Sequence, residues 1–147
     1  MRLPWDKYFL NMATVIAEQS TCIRRNVGAI IVRDKQILSA GFNGAPQHVA
    51  HCDKRGCIRL DQNVPSGERH ELCMGSHAEM NAIAHAAKHG VSINGAVLYC
   101  THYPCAICAK LIINAGIVSV KYIHHYDDML TVVLLKEGLV SIQKGSI

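Results

Sequence analysis

Four residues of this chain have the types and spacing needed for hydrolysis at a metal centre. His77 and Glu79 lie two residues apart, and Cys105 and Cys108 follow in a Pro104-Cys-x-x-Cys motif. One imidazole and two thiolates are three good zinc ligands, and they leave a fourth metal position open for water. Glu79 would then be available to move protons to and from that water. The pattern therefore predicts a catalytic zinc site rather than a closed structural one.

Each half of this pattern also has a simpler interpretation when it is taken alone. Ser76-x-x-Glu79 fits a capping box, in which Glu79 would satisfy a backbone N–H at the start of a helix. A single Cys-x-x-Cys pair is also typical of a structural zinc knuckle or a redox pair. Pro104, together with the expected placement of both halves at helix N-termini, favours the catalytic interpretation. A helix N-terminus lowers the pKa of a thiol and helps both cysteines to bind metal as thiolates.

The elements expected around these residues form one α/β domain over residues 1–147. A helix from Trp5 to about Ser20 is predicted by an apolar stripe made of Tyr8, Phe9, Met12, Val15 and Ile16. An antiparallel hairpin and alternating helices and strands follow at Val27–Val32, Gln36–Phe42, Ala78–Lys88, Ala96–Thr101, Cys105–Ala115, Val118–His124, Asp128–Glu137 and Leu139–Gln143. This order predicts a mixed sheet, parallel in its second half, with helices on its faces.

Residues 44–75 interrupt this framework with a segment rich in Gly, Pro, His, Cys and charge, without sustained apolar periodicity. A connection of this length without regular structure is uncommon in a compact domain, so we expect it to need its own staple. The soft metal ligands in it and just before the first strand are Cys22, Cys52, Cys57, His70 and Cys73. They predict a second, closed zinc site, for which spacing allows the last four as one ligand set. Free cysteines are the simpler alternative.

The composition sets further limits. No apolar run approaches membrane-spanning length, and the first residues, Met1 to Asp6, do not resemble a signal peptide, so we expect a cytoplasmic protein without a membrane partner. Seven cysteines in a reducing compartment favour metal ligands over disulfides. The formal charge of +4 fits an anionic substrate such as a nucleotide, but charge alone favours an ordinary, mildly basic protein.

Four stretches resemble the deoxycytidylate (dCMP) deaminase family, including its competence-operon members. They are Cys22-Ile23-Arg24-Arg25-Asn26-Val27-Gly28-Ala29-Ile30-Ile31-Val32, Gly41-Phe42-Asn43-Gly44-Ala45-Pro46, His77-Ala78-Glu79-Met80-Asn81-Ala82-Ile83, and Pro104-Cys-x-x-Cys-Ala-Lys followed by Asn114-Ala-Gly-Ile. The resemblance runs from about Trp5 to Tyr126. It implies a cytidine-deaminase-like three-layer α/β/α fold with a mixed five-stranded sheet. It also implies zinc-dependent hydrolysis of dCMP to dUMP and ammonia, which supplies dUMP for thymidylate synthesis.

The resemblance implies substrate contacts as well. Asn43 corresponds to an asparagine that holds the substrate sugar, although a turn beside Gly44 would also explain an Asn here. Ala78 and Tyr126 fall at substrate-binding positions of the family. For the 5′-phosphate we expect Arg25, because a guanidinium binds phosphate bidentately. A solvated surface arginine is the alternative for that residue.

Further features implied by the family concern metal, effectors and assembly. A second, structural zinc would use Cys22 and Cys52 with His70 and Cys73. The segment Gly41–Gly44 corresponds to an element that supports nucleotide binding and the response to dCTP. Phe42 stands where tyrosine is usual, so a contact through that hydroxyl cannot be made. dCTP and dTTP are the implied effectors, and a homo-oligomer, often a hexamer, is the implied assembly.

Two other functions compete with this interpretation. The first is another zinc deaminase, acting on tRNA adenosine or on free cytidine or deoxycytidine. The acidic residues Asp53, Asp61, Glu68 and Glu71 in the insertion are not typical of a nucleic-acid surface, so we expect no nucleic-acid partner. The second is a non-catalytic zinc-binding module. Glu79 argues against it, because a structural zinc site has no use for a carboxylate that is not a ligand.

Overall fold

The computed structural model describes residues 1–147 and is built on one mixed sheet. β1 (Gly28–Arg33) and β2 (Gln36–Phe42) form an antiparallel hairpin, and β3 (Val97–His102), β4 (Ser119–His124) and β5 (Ser141–Lys144) follow. The strand order is β2-β1-β3-β4-β5, with β1 antiparallel to both of its neighbours and the last three strands parallel. The predicted five-stranded sheet, with its hairpin ahead of parallel βα units, is confirmed.

The helical elements are α1 (Trp5–Ala17), α2 (Cys52–Arg55), α3 (Ile58–Asp61), a 3-10 turn (His70–Leu72), α4 (Ala78–Lys88), α5 (Ala106–Asn114) and α6 (Met129–Glu137). Of these, α1 covers one face of the sheet, and α4, α5 and α6 cover the other. Side chains of β1 alternate between the two faces: Ile30 packs with α1, whereas Ile31 packs with α4, α5 and α6. The result is the three-layer α/β/α arrangement. None of the helices combines the length and apolar character that a membrane crossing requires.

The first helix differs from its prediction in length and in buried face. It ends at Ala17 rather than near Ser20, and Tyr8 and Val15 are exposed. The face that packs on the sheet includes the small residue Ala13, because β1 approaches the helix closely at Gly28. A Cβ at Gly28 would collide with the carbonyl oxygen of Ala13. A stripe of large side chains therefore did not identify the buried face.

The last strand also starts later than predicted. It begins at Ser141 rather than Leu139. Leu139 has a φ of +59° and is largely exposed, so it belongs to the turn that follows α6.

The insertion contains more regular structure than its sequence predicted. Residues 44–75 include the two helical turns α2 and α3, each four residues long, and a 3-10 turn. Elements this short are invisible to a periodicity argument. Gly44 and Ser76 form an isolated antiparallel bridge with two backbone hydrogen bonds of 2.8 and 3.2 Å. The bridge closes the base of the insertion directly beside His77.

Candidate active site

The structure brings the three predicted zinc ligands together. His77 is the residue before α4, and Cys105 is the residue before α5, one turn ahead of Cys108. The Nδ1 atom of His77 lies 3.4 Å from the Sγ atom of each cysteine. Around one tetrahedral zinc, a sulfur and a nitrogen ligand are about 3.5 Å apart, as follows from Zn–S and Zn–N distances of about 2.3 and 2.1 Å. The donor set and its spacing therefore fit a zinc ion.

The electrostatics of the three groups favour metal binding. The hydrogen bond from Cys108 and the contact with His77 together lower the pKa of Cys105 to about 4, although burial acts in the opposite direction. The pKa of Cys108 is raised well above its usual value, because it shares its proton with Cys105 and is buried. Burial lowers the pKa of His77, but the Cys105 thiolate and Glu79 outweigh burial and raise it. The two thiols and the imidazole thus share protons at one point. A dication bound there would take the place of those protons.

Glu79 lies beside these ligands as a buried carboxyl group. It is 4% exposed, and its pKa is raised chiefly by burial and also by the charge on Cys105. Such a shift moves a carboxyl group toward the range in which it both accepts and donates protons near neutral pH. The capping-box alternative is wrong: His77, not Ser76, is the N-cap residue of α4, and no side chain caps the helix from that position.

The start of α4 is instead held by the loop after β2. The Oδ1 atom of Asn43 accepts a hydrogen bond of 2.8 Å from the backbone N–H of Ala78. The Nδ2 atom of Asn81 donates to the carbonyl oxygens of Phe42 and Ser76, at 2.8 and 3.3 Å. These bonds fix the backbone on both sides of His77, and so they orient the imidazole.

Helix α5 is positioned by Asp128, the N-cap residue of α6. Its Oδ1 atom accepts hydrogen bonds from the N–H groups of Leu130 and Thr131, and its Oδ2 atom accepts one of 3.1 Å from Ala106. One carboxylate therefore caps two helices, including the one that carries both cysteine ligands. An Asp immediately before an apolar run is a sequence signal for an N-cap, but its second contact has no such signal.

Two of the ligands, His77 and Cys105, line a cleft of about 260 Å³ together with Glu79. Three arginines line it, Arg24, Arg25 and Arg59, whereas Glu79 is its only carboxylate. Arg25 lies over the ring of Tyr126, with its Cζ atom 5.4 Å from the ring centroid, and donates to the hydroxyl of Ser66 at 3.4 Å. The predicted substrate residues Asn43, Arg25 and Tyr126 thus line the same cleft, in which arginines outnumber carboxylates.

Two further residues of the cleft were not found from the sequence. His102 ends β3, and its pKa is lowered to about 4 by burial, by Arg25 and by His124, so its ring is neutral near pH 7. Its place at the carboxyl end of a strand, just before the cysteine motif, was an available signal. Arg59 lies on α3, where no motif marks it.

Several predicted positions lie outside the cleft. Ala78 is completely buried, and its N–H is already bonded to Asn43. Gly41 packs against α4, where a Cβ would collide with the carbonyl oxygen of Ala78. Phe42 is half-buried and, like Gly41, does not line the cleft, whereas Gly44 and Asn43 do. The close approach of backbones accounts for glycine at position 41 without a ligand.

The second predicted ligand set is not assembled in the structure. His77, Cys105 and Cys108 are the one group of three or more residues whose ligand atoms lie within 4.8 Å of one another. His70, expected beside Cys22, Cys52 and Cys73, instead packs its ring against His77, with centroids 4.9 Å apart.

The remaining cysteines do lie near one another. After burial, the largest effects that raise the pKa of Cys52 come from Cys22, Cys57 and Cys73. All four of these cysteines line the cleft.

Comparison with known proteins agrees with this geometry. Residues 3–124 match the family described as the cytidine and deoxycytidylate deaminase zinc-binding region. The chain is 43% identical over 125 residues to ComE operon protein 2 of Bacillus subtilis, covering 85% of this chain and 62% of that protein. It is 36% identical over 147 residues to deoxycytidylate deaminase of Saccharomyces cerevisiae, covering 99% of this chain and 46% of that one. The chain thus spans less than two thirds of the length of either relative.

A solved structure extends the comparison to the fold. The dCMP deaminase of cyanophage S-TIM5, in complex with dCMP and dUMP, superimposes with a TM-score of 0.79 and is 30% identical, and the match covers 99% of each chain. The family match covers most of this chain and includes all three ligands of the zinc site. The chain belongs to the cytidine and deoxycytidylate deaminase family.

Proposed function

We propose that this protein hydrolyses dCMP to dUMP with release of ammonia. The observation that carries the proposal is the combination, in one cleft, of a zinc-binding triad, a buried carboxyl group and three arginines. The triad and Glu79 match the needs of hydrolytic deamination, and the arginines favour a nucleotide over an uncharged nucleoside. The relatives that carry the name deoxycytidylate deaminase support the same substrate.

In the proposed mechanism His77, Cys105 and Cys108 hold the zinc. When bound, zinc supplies a Lewis acid that lowers the pKa of water toward neutrality. Glu79 accepts a proton from the water that attacks C4 of the cytosine ring and passes it to N3. Glu79 then takes the remaining proton from the new hydroxyl group on C4 and delivers it to the departing amino group, so that the C4–N bond breaks, ammonia leaves and C4 becomes the carbonyl carbon of uracil.

The other cleft residues would hold the nucleotide. We assign the sugar to Asn43, whose Nδ2 group has only a 3.4 Å contact with the carbonyl oxygen of Arg25. Arg25 is assigned to the 5′-phosphate, with the Tyr126 ring beside it. Ala78 would act through its backbone, since its side chain is buried.

The single experiment that tests the reaction is incubation of the zinc-loaded protein with dCMP in isotopically labelled water. We expect equimolar ammonia and dUMP with the label at O4, and unlabelled or absent dUMP would contradict it.

The assignment of Arg25 has its own test. Arg25→Gln is expected to raise the KM for dCMP at least about tenfold, because a charge-assisted phosphate contact is lost, and to leave deoxycytidine almost unaffected. Arg2→Gln, at an exposed arginine that does not line the cleft, is the control. Steady-state kinetics on both substrates measure the effect. An equal change for the two substrates would remove Arg25 from the phosphate site.

We further propose a second, structural zinc held by cysteines of the insertion. Cys22, Cys52 and Cys73 remain the ligands from the family resemblance. The fourth was assigned to His70, but Cys57 is better supported, since it is buried close to Cys52 whereas His70 packs on His77. Such a site would fix the insertion whose base adjoins the first zinc ligand.

Assembly is proposed from surface chemistry and regulation from the family resemblance. A homo-oligomer, such as a hexamer, is supported by exposed apolar side chains on α5 and α6, among them Ile107, Leu130 and Val133. dCTP and dTTP are proposed as effectors that act near Gly41–Gly44. Light scattering and rate measurements with each triphosphate test these two points, and a monomer or unchanged rates would contradict them. A cytoplasmic location is proposed from the reduced thiols that both zinc sites need.

A further inference from the structure

His102 is a residue of the cleft that the proposed mechanism does not use. It is the last residue of β3, and it lines the cleft together with Glu79 and Tyr103. Because side chains alternate along a strand, His102 lies on the same face of the sheet as Leu98 and Cys100. That face is covered by α4 and α5, which begin at the zinc ligands. His102 is therefore on the face of the sheet that holds the catalytic site.

The hydrogen bonds around His102 determine which ring nitrogen carries the hydrogen. Thr101 is 3% exposed, and its Oγ1 atom accepts a hydrogen bond of 3.2 Å from the N–H of Gly28. The same Oγ1 atom lies 2.8 Å from the Nδ1 atom of His102, and no other acceptor is bonded to it. The buried hydroxyl hydrogen of Thr101 is therefore donated to Nδ1. A neutral imidazole whose Nδ1 accepts carries its hydrogen on Nε2.

The Nε2–H group of His102 is a free donor. The ring is neutral near pH 7, because burial, Arg25 and His124 lower its pKa to about 4. Nε2 has no hydrogen-bond partner in the protein, and it is accessible, unlike the two buried ring nitrogens of His70. A ligand or a water molecule in the cleft therefore takes this hydrogen bond.

His102 and Glu79 approach the cleft from different sides. Glu79 is in the first turn of α4, which packs on β1 and β2. His102 pairs with His124 across β3 and β4, on the other half of the sheet, with ring centroids 4.9 Å apart. The charges that act on His102 are those of Arg25 and His124, and Glu79 is not among them. His102 is thus on the Arg25 side of the cleft.

The proposed reaction determines which edge of the base faces each side. Glu79 passes a proton to N3, so the N3 edge faces Glu79, and C5, on the other side of C4, faces away from it. In an anti pyrimidine nucleotide the 5′ oxygen lies over C6, so the C5–C6 edge points toward the side of the phosphate, to which Arg25 is assigned. His102 is on that side. Its Nε2–H group therefore meets the base beside C5.

We propose that His102 is a specificity-determining residue that discriminates between substituents at C5 of the pyrimidine ring. With hydrogen at C5, water in the cleft satisfies the Nε2–H group. A methyl group displaces that water and leaves the donor without a partner, whereas a hydroxymethyl group accepts its hydrogen bond. The inference rests on the proposed function, since it places a cytosine nucleotide in the cleft.

The test compares dCMP with its 5-methyl and 5-hydroxymethyl derivatives in the zinc-loaded full chain. We expect kcat/KM for 5-methyl-dCMP to be at least about tenfold below that for dCMP, and the value for 5-hydroxymethyl-dCMP to be within about threefold of it. His102→Leu removes the donor and is expected to raise the methyl-to-unsubstituted ratio at least about tenfold. His102→Gln keeps an N–H donor and should retain the discrimination. His89→Leu, at an exposed histidine outside the cleft, should behave as wild type.

Equal turnover of dCMP and 5-methyl-dCMP by wild type, or an unchanged ratio in His102→Leu, would overturn the inference. If His102→Leu does not fold, His102→Asn decides, because it keeps an acceptor near Thr101 but is too short to reach C5. Loss of discrimination in that variant supports the inference, and its retention overturns it. Nitrogen-15 NMR of the imidazole, assigned with His102→Gln, tests the tautomer without turnover: we expect hydrogen on Nε2, and hydrogen on Nδ1 overturns the inference.

Failure of the proposed function is distinguishable from failure of this inference. If the wild-type protein does not turn over dCMP, the proposed function fails by itself. Calorimetric titration with dUMP and 5-methyl-dUMP then decides the role of His102. At least about tenfold weaker binding of 5-methyl-dUMP by wild type, but not by His102→Leu, supports it. Equal binding of the two nucleotides by wild type, or no binding of either, overturns it.

Discussion

The two groups of cysteines in this chain differ in what holds them in place. Cys105 and Cys108 are buried at the start of a helix packed on the sheet, and both Sγ atoms lie 3.4 Å from His77. The cysteines near Cys52 are carried by loops and by helices of four residues, and they do not form a ready group of ligand atoms. We infer that core packing preassembles the catalytic site, whereas the second group would have to be drawn together by the proposed second zinc.

The difference has a physical origin in the neighbouring structure. The start of α4 is tied to β2 by Asn43 and Asn81, and the start of α5 is tied to α6 by Asp128. No comparable set of bonds holds the insertion: its internal contacts are mostly backbone turns, and it is anchored by the Gly44–Ser76 bridge and a few side chains. Part of the free energy of zinc binding at the second site would therefore offset the entropy lost when the insertion becomes ordered. The first site is already ordered, so zinc bound there would serve the reaction.

The largest expected effect is on the catalytic group itself. Glu79→Gln should lower kcat by at least about a thousandfold, because it removes the proton carrier, while the three zinc ligands stay intact. Ammonia release measures the rate, and elemental analysis measures the zinc. Glu71→Gln, at an exposed carboxylate, is the matched control and should be as active as wild type. Substantial turnover by the Glu79 variant would remove it from the mechanism.

The next effect separates the two cysteine groups. Cys52→Ser should reduce the zinc content from two ions per chain to one and lower the melting temperature, since the insertion loses its staple. Its kcat should fall less than about tenfold, because the preassembled site keeps its own ion. Cys100→Ser, at a buried cysteine of β3 outside both groups, should keep two ions.

Metal analysis of the wild-type protein can contradict this comparison of the two cysteine groups. A single zinc per chain in fully active protein would eliminate the second site and leave four free thiols. Loss of both ions in Cys52→Ser would instead show that the catalytic ligands are not preassembled.

The smallest expected effect concerns the helix caps that preassemble the first site. Asp128→Ala should cost about 1–2 kcal/mol of unfolding free energy, because three N–H groups lose their acceptor. Asp128→Asn should cost less, since one acceptor oxygen remains for α6. Urea unfolding measures both. Equal stability of wild type and Asp128→Ala would mean that packing alone holds α5.

The sequence was most informative where one motif coincides with one element boundary. The positions of His77 and Cys105 at helix starts followed from turn residues, Pro104 and apolar periodicity, and these local signals agree with the tertiary structure. The order of helices and strands then sufficed to predict a mixed α/β sheet. Packing of small residues was less predictable, as the close contact between Gly28 and Ala13 illustrates.

The cleft residues outside the motifs could not be predicted in the same way. Arg59 is brought near Tyr126 by the fold of an insertion that has no periodic pattern, and Arg25 is brought there by the loop that precedes β1. His70 has the residue type and spacing of a metal ligand, yet its ring packs on His77, because the 3-10 turn places it toward the cleft. Spacing along the chain limits which ligands can meet, but it does not determine which ones do.

The central claim is that one preassembled zinc centre and an arginine-rich cleft make this chain a nucleotide deaminase. Ammonia release by the zinc-loaded protein should therefore be compared for dCMP, dCTP, CMP, deoxycytidine and a tRNA anticodon stem, each with and without added dCTP. The account predicts that kcat/KM for dCMP exceeds that for deoxycytidine by at least about a hundredfold, consistent with about 3 kcal/mol from phosphate contacts. Equal or faster turnover of deoxycytidine or the tRNA stem, with zinc bound, would contradict it.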